Sequence, residues 1–158
     1  MLSYKHPFNI VIENAIYMVT SATFERRNIF ASDENASEVT SIILKGRSLL
    51  HYWLLAFAVM PDHIHVVMKP RNKTLHQGIG SLKGTAARVI NLKYNNEGKL
   101  WQRGYFARPI VSDDLLTREI WYVENNPIRS GLVANQHEYP FSSASFRHIL
   151  DADVSACC

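Results

Sequence analysis

His63 and His65 stand two residues apart in the segment Met60-Pro61-Asp62-His63-Ile64-His65-Val66-Val67. On an extended strand such side chains leave the same face, so the two imidazoles would lie side by side while Ile64 turns into a core. Two imidazoles on one face suit a shared divalent metal ion, but a histidine pair at this spacing also arises by chance, and a third ligand is needed. Tyr122 and Asn126 are four apart in a segment of helical character, which makes them neighbours on one helix face. Asn126 offers an amide oxygen as ligand, and Tyr122 a phenolic hydroxyl open to a polar role. The apolar stripe Leu116, Ile120 and Val123 lies roughly 120° around the helix from Tyr122, so the pattern does not commit the tyrosine to the core, although a half-buried packing aromatic fits the same spacing.

The elements that must position these residues follow from periodicity. Ile16 to Thr23 is rich in β-formers and reads as a strand, with Arg26, Arg27 and Asn28 in the turn beyond. Ser32-Asp33-Glu34 opens a helix whose apolar positions Val39, Ile42, Ile43, Leu49 and Leu50 carry it to about residue 50. Trp53 to Met60 and His63 to Lys69 read as two strands joined by a tight turn at Pro61-Asp62. Leu75, Ile79, Leu82, Ala86 and Ile90 mark a long amphipathic helix to about Tyr94. Residues 104–111 suit a short strand, and Asp113-Asp114 is expected to cap a helix that stops near Pro127. The order β, α, β, β, α, β, α predicts an α+β fold, a ferredoxin-like antiparallel sheet with helices packed on it. A single domain over residues 1–149 and a frayed tail over 150–158 are expected.

The chain has 158 residues, 47% of them hydrophobic, enough for one real core. Its longest apolar stretch, Tyr52 to Met60, is far below the ~18 residues that span a bilayer, and the start MLSYKHPF lacks signal-peptide architecture. No membrane partner and a cytoplasmic location are expected. Cys157 and Cys158 are adjacent, unable to staple distant parts of the fold. The net charge is only +3, yet residues 61–112 hold nine bases against two acids and carry +7. A nucleic acid is a natural partner for that stretch, with a solvated basic helix as the plainer explanation.

At these residues the sequence resembles the REP-associated tyrosine transposases, within the wider HUH single-strand nuclease superfamily. Met60-Pro61-Asp62-His63-Ile64-His65-Val66-Val67 is similar to the family's histidine segment, and Leu100-Trp101-Gln102-Arg103-Gly104-Tyr105 to its Leu-Trp-Gln element. Tyr122-Val123-Glu124-Asn125-Asn126-Pro127-Ile128-Arg129-Ser130-Gly131-Leu132-Val133 resembles its tyrosine helix and Asn-Pro turn, followed by Tyr139-Pro140-Phe141-Ser142-Ser143. The resemblance covers about residues 10–146. It implies His63, His65 and Asn126 as metal ligands, Tyr122 as nucleophile, and a 5′-phosphotyrosine intermediate in cutting and rejoining hairpin-bearing single-stranded DNA. For such a nucleophile, attack at neutral pH requires help with deprotonation, since a free phenol has a pKa near ~10; Glu124, two residues from Tyr122, points elsewhere, no activating base is identified, and Tyr105 is the runner-up nucleophile. The resemblance also implies Mg²⁺ or Mn²⁺ as cofactor, whereas imidazole ligands by themselves lean toward Mn²⁺ or Zn²⁺. Monomeric and homodimeric arrangements both occur among relatives. Arg26, Arg27, Lys83, Arg103 and Arg108 are candidates for phosphate contacts. Trp101 and Tyr105 are candidates for base stacking, with core packing as the alternative for both. A binding-only nucleic-acid module and a metal-dependent phosphoesterase using water are the competing functions.

Overall fold

The computed structural model describes residues 12–151. In chain order its main elements are β1 (Ile16–Ala22), α1 (Asp33–Ser48), β2 (Tyr52–Met60), β3 (His63–Pro70), α2 (Leu75–Lys93), β4 (Phe106–Ile110) and α3 (Asp113–Arg129). The strands form one antiparallel sheet in the order β2-β3-β1-β4, the ferredoxin-like arrangement expected, with α3 added after it. Pro109 lies in β4, an edge strand, where a missing backbone donor is tolerated.

Alternation along the strands divides the apolar side chains between two faces. Tyr17 and Val19 of β1, with Ile64 and Val66 of β3, join Ile43 of α1 and Ile79 of α2 in the larger core. Ile16, Met18 and Val67 point the other way, into a smaller core closed by Leu116 and Val123 of α3. Each of these fully buried aliphatic side chains contributes about 1.5–3 kcal/mol. A bulge between Leu54 and Ala56 puts Leu55 and Ala56 on the same side, under α3, breaking the strict alternation of β2. Each long helix has a side-chain cap at its start, and in α3 the cap is Ser112 rather than the expected Asp113-Asp114, which form the first turn. The Ser32 and Ser112 side chains accept from the N–H groups of Asn35 and Leu115, and Thr74 with Gln77 makes a capping box.

Two boundaries differ from the sequence expectation. α3 does not stop near Pro127 but runs through it to Arg129. The proline deletes one backbone donor, while the helix ends at Gly131 (φ 73°), where Gly131 N–H donates to Ile128 O and Leu132 N–H to Pro127 O, both at 2.9 Å. The domain also continues past residue 149. Leu150 is buried, and Asp151 binds Arg47 through two hydrogen bonds of 2.8 and 2.9 Å while accepting from Leu54 N–H at 2.9 Å. The segment before it covers the outer edge of β2, with Val59 N–H donating to Phe141 O at 2.8 Å and Asp151 N–H to Leu54 O at 3.0 Å. The rest of the expected tail, with Cys157 and Cys158, lies outside the described residues.

Candidate active site

His63 and His65 leave β3 on the face covered by α3, as their spacing predicts, with Ile64 buried on the opposite face. The turn before them is pinned at its backbone: Asp62 O accepts from Thr23 N–H at 2.9 Å and from the Thr23 hydroxyl at 3.0 Å, and Pro61 O accepts from Phe30 N–H at 2.9 Å. The far side of each imidazole is also held. His63 Nδ1 is 2.6 Å from Asp62 Oδ1, and His65 Nδ1 is 2.9 Å from Thr20 Oγ1 on the neighbouring strand. The two Nε2 atoms then converge to 3.1 Å.

That arrangement fits a divalent ion. A carboxylate only accepts, so His63 Nδ1 donates to Asp62, which leaves Nε2 as the ring atom turned toward an ion. Burial, helped by His63 and Arg26, pushes the pKa of His65 down to about 3, which keeps its ring neutral, as a metal ligand must be. Two imidazole nitrogens sharing an ion at ~2.1 Å are roughly 3.0–3.4 Å apart for ligand angles near 90–110°, matching the 3.1 Å observed. The Asn126 amide is 3.4 Å from His65 Nε2, and rotation of the amide exchanges its nitrogen for its oxygen at that place. Among the described residues no three His, Cys, Asp or Glu side chains form a metal cluster, so an ion would rest on two imidazoles and an amide, with positions left for substrate.

α3 crosses this face through Leu116 and Val123, which leaves Tyr122 half-buried at the margin of the helix contact. Its ring lies 5.7 Å from that of His65, centroid to centroid. Asn126 is buried one turn later, and its oxygen accepts from Ser130 Oγ at 3.4 Å. Arg129, seven residues after Tyr122 and so on the same side of the helix, places its guanidinium 5.0 Å from the tyrosine ring centre. Glu124 faces away, accepting from Ser143 Oγ at 2.6 Å and pairing with Arg147 at 2.5 Å. Asp62, Thr20 and Arg129 are therefore site residues that the sequence reading missed. Asp62 adjoins His63, and Arg129 completes the 122, 126, 129 stripe, but the expected helix end at Pro127 concealed it.

The remaining predicted residues scatter. Arg26 is exposed and pairs with Asp62 at 3.4 Å, close to His63. Arg108 sits on the Tyr122 side of the sheet, paired with the buried carboxylate of Glu119 on α3. Arg27 donates to Lys99 O at 2.6 Å and Phe24 O at 3.2 Å. The ammonium of Lys83 donates to Gln102 O and Gly104 O, and burial lowers its pKa, so it fastens the loop before β4 rather than facing a phosphate. Trp101 is in the core, its ring 5.3 Å from that of Phe30 and its N–H donating to Lys83 O at 3.0 Å, which removes it as a base-stacking surface. Tyr105 packs half-buried against the larger core, on the sheet face away from the histidines. Arg103 is exposed in the loop Lys83 holds.

A ferredoxin-like sheet whose third helix lays a tyrosine and an amide against a histidine pair has the form of a DNA transposase domain. The chain belongs to the transposase IS200-like family, whose model matches residues 11–126. A Haemophilus influenzae relative carrying the name REP-associated tyrosine transposase is 25% identical over 154 residues, covering 90% of this chain and 85% of that protein. The solved structure of a REP-associated tyrosine transposase bound to a REP hairpin superposes with a TM-score of 0.72 at 18% identity, covering 97% of this chain and 90% of that one. A Deinococcus radiodurans transposase gives a TM-score of 0.54 at 23% identity over 75% of this chain and 95% of its own. The fold is shared with both structures, and the resemblance to the REP-associated tyrosine transposases seen in the motifs holds. Among the described residues no helix is long and apolar enough to cross a membrane.

Proposed function

We propose that this transposase cuts and rejoins hairpin-bearing single-stranded DNA in the cytoplasm, with Tyr122 as nucleophile and His63, His65 and Asn126 holding a divalent ion, Mg²⁺ or Mn²⁺. The observation that carries the reading is the meeting of two imidazole Nε2 atoms 3.1 Å apart with a helix-borne amide at 3.4 Å and a tyrosine ring at 5.7 Å. The Tyr122 oxygen attacks the scissile phosphorus and the bond from phosphorus to the 3′ oxygen breaks. One proton passes, net, from the phenol to the departing 3′ oxygen. The products are a 5′-phosphotyrosine ester and a free 3′-hydroxyl, and attack by a 3′-hydroxyl reverses the step, so joining needs no external energy source. When bound, the divalent ion supplies positive charge to the non-bridging oxygens of the phosphate. Arg129 sets a positive charge beside the nucleophile, its guanidinium 5.0 Å from the centre of the tyrosine ring. The choice of substrate is supported by the basic stretch 61–112 and by the REP hairpin carried by the similar solved structure.

The test is Tyr122→Phe against a hairpin oligonucleotide labelled at either end. The native protein with Mn²⁺ should retain the 3′-end label covalently and release the 5′-labelled fragment, while the variant binds without forming an adduct. Full cleavage by the variant would replace the tyrosine with water as nucleophile. Binding with no cleavage by the native protein would reduce it to a binding module.

A further inference from the structure

Beyond the histidines, the surface of α3 that carries Tyr122 does not close on the sheet. Leu115, Arg118, Glu119 and Tyr122 recur at spacings of three and four and form a stripe along the helix. They look across to β1 and to the edge strand β4, where Phe106 and Arg108 alternate onto the same face. Between these walls lies an open groove of about 720 Å³ that begins at His65 and Tyr122. Each wall ends in an aromatic ring left in solvent: Phe106 of β4 is 49% exposed and Trp121 of α3 is 61% exposed.

Two large rings left in solvent beside a cavity are apolar surface that a ligand can cover, and the other groups of the groove say what that ligand would be. Of the cationic groups, Arg108 is paired with Glu119, and the guanidinium of Arg118 suits an anionic chain. The polar groups are already engaged: the Thr117 hydroxyl donates to Asp113 O at 3.0 Å, and the Glu119 carboxylate accepts from Arg108. Little remains to read base edges, whereas the flat rings can stack on any base. The groove is also continuous with the catalytic residues, sharing His65 and Tyr122 with them.

We propose, resting on the tyrosine reading above, that this groove seats the unpaired nucleotides flanking the scissile phosphate, with one base stacked on Trp121, another on Phe106, and a backbone phosphate on Arg118. The grip is sequence-tolerant and selects single strands, since a paired base does not expose a face to either ring. Whatever base preference the protein has arises elsewhere, and the groove fixes the position of the strand relative to Tyr122.

The experiment uses the full chain in a Tyr122→Phe background, so that binding is read without cleavage, with (dT)12 and a blunt duplex as probes. Trp121→Ala and Phe106→Ala should each weaken (dT)12 binding about ten-fold, within the range of stacking on one aromatic side chain, and leave duplex binding unchanged. Trp121→Phe should keep most of the affinity while losing the tryptophan quenching that (dT)12 causes. Both side chains are solvent-exposed, so these variants should fold, and their urea midpoints check it. Unchanged (dT)12 affinity in both alanine variants overturns the proposal. So does an equal loss toward duplex, or a shift to smaller assemblies in sedimentation, which would make the groove a contact between copies of this chain. With Tyr122 restored, the two readings separate. If the tyrosine mechanism fails, no protein forms an adduct although the stacking losses persist; if stacking fails, the adduct forms and affinities do not move.

Discussion

Asp62→Asn removes one charge from the site and little else. Asp62 Oδ1 accepts from His63 Nδ1 at 2.6 Å, while the backbone of the turn is held independently by Thr23 at 2.9 and 3.0 Å. An asparagine can therefore keep the ring oriented through its amide oxygen, but it loses the carboxylate that makes Nε2 a stronger electron donor. The lost pair with Arg26 adds little, because that guanidinium is 56% exposed and screened. Replacing such an outer partner typically weakens metal affinity about 10–100-fold, which is about 1.4–2.7 kcal/mol. Calorimetric titration of Mn²⁺ into the purified protein at neutral pH measures it, with His63→Ala and His65→Ala setting the zero. Thr20→Val, which strips the partner from the second ring at 2.9 Å, should shift affinity in the same direction. If Asp62→Asn binds Mn²⁺ like the native protein while His63→Ala does not, the carboxylate is no tuning group. If neither histidine variant changes Mn²⁺ binding, the metal site itself is wrong.

Three further outcomes follow from single contacts. Burial holds the pKa of His65 down to about 3, well below the usual imidazole range, so in chelator-treated protein the unfolded chain takes up a proton that the folded one does not. Stability is then full above the unfolded value and falls with pH, by about 2 kcal/mol between about pH 7.5 and pH 5; a flat urea profile there, or one that His65→Asn leaves unaltered, contradicts it. Asp151→Ala leaves the Arg47 guanidinium and the Leu54 N–H without their acceptor, and should lower unfolding free energy by about 2–4 kcal/mol in urea. A loss under ~0.5 kcal/mol, the range of ordinary surface changes, would return the domain boundary to residue 149. Gly46→Ala puts a methyl group against the buried phenol of Tyr52, which donates to Ile43 O at 2.7 Å. Thermal melts should show about 1–3 kcal/mol of destabilisation despite alanine's better helix propensity, partly relieved in a Tyr52→Phe background.

The fold was legible because its elements carry local signals. α2 announces itself through Leu75, Ile79, Leu82, Ala86 and Ile90 at helical spacing, and the structure runs it from Leu75 to Lys93. The β2–β3 hairpin is written in an apolar run, Pro61-Asp62, and an alternating run. What local pattern does not encode is long-range pairing. The clamp of Arg47 on Asp151 joins residues 104 apart, and neither residue type predicts the other. Leu55 likewise reads as one more apolar residue of a strand, although the bulge there turns it beneath α3.

The same division runs through the site. The shared face of His63 and His65 follows from a period of two, and that of Tyr122 and Asn126 from a period of 3.6, so each pair was readable alone. Bringing the pairs together depends on α3 folding across the sheet through Leu116 and Val123, a tertiary event that spacing cannot express. Basic residues were harder still, since Lys83, Arg27 and Arg108 differ only in which carbonyl or carboxylate lies within reach. Pro127 shows how a local rule misleads when its energy is not weighed. A proline near a helix end removes one hydrogen bond, the donor to residue 123. Gly131 adopts φ 73° at little cost and permits two, from Gly131 N–H to Ile128 O and from Leu132 N–H to Pro127 O. The helix ends where two bonds form rather than where one is lost, and those extra residues bring Arg129 over the ring of Tyr122 and Ser130 to the amide of Asn126.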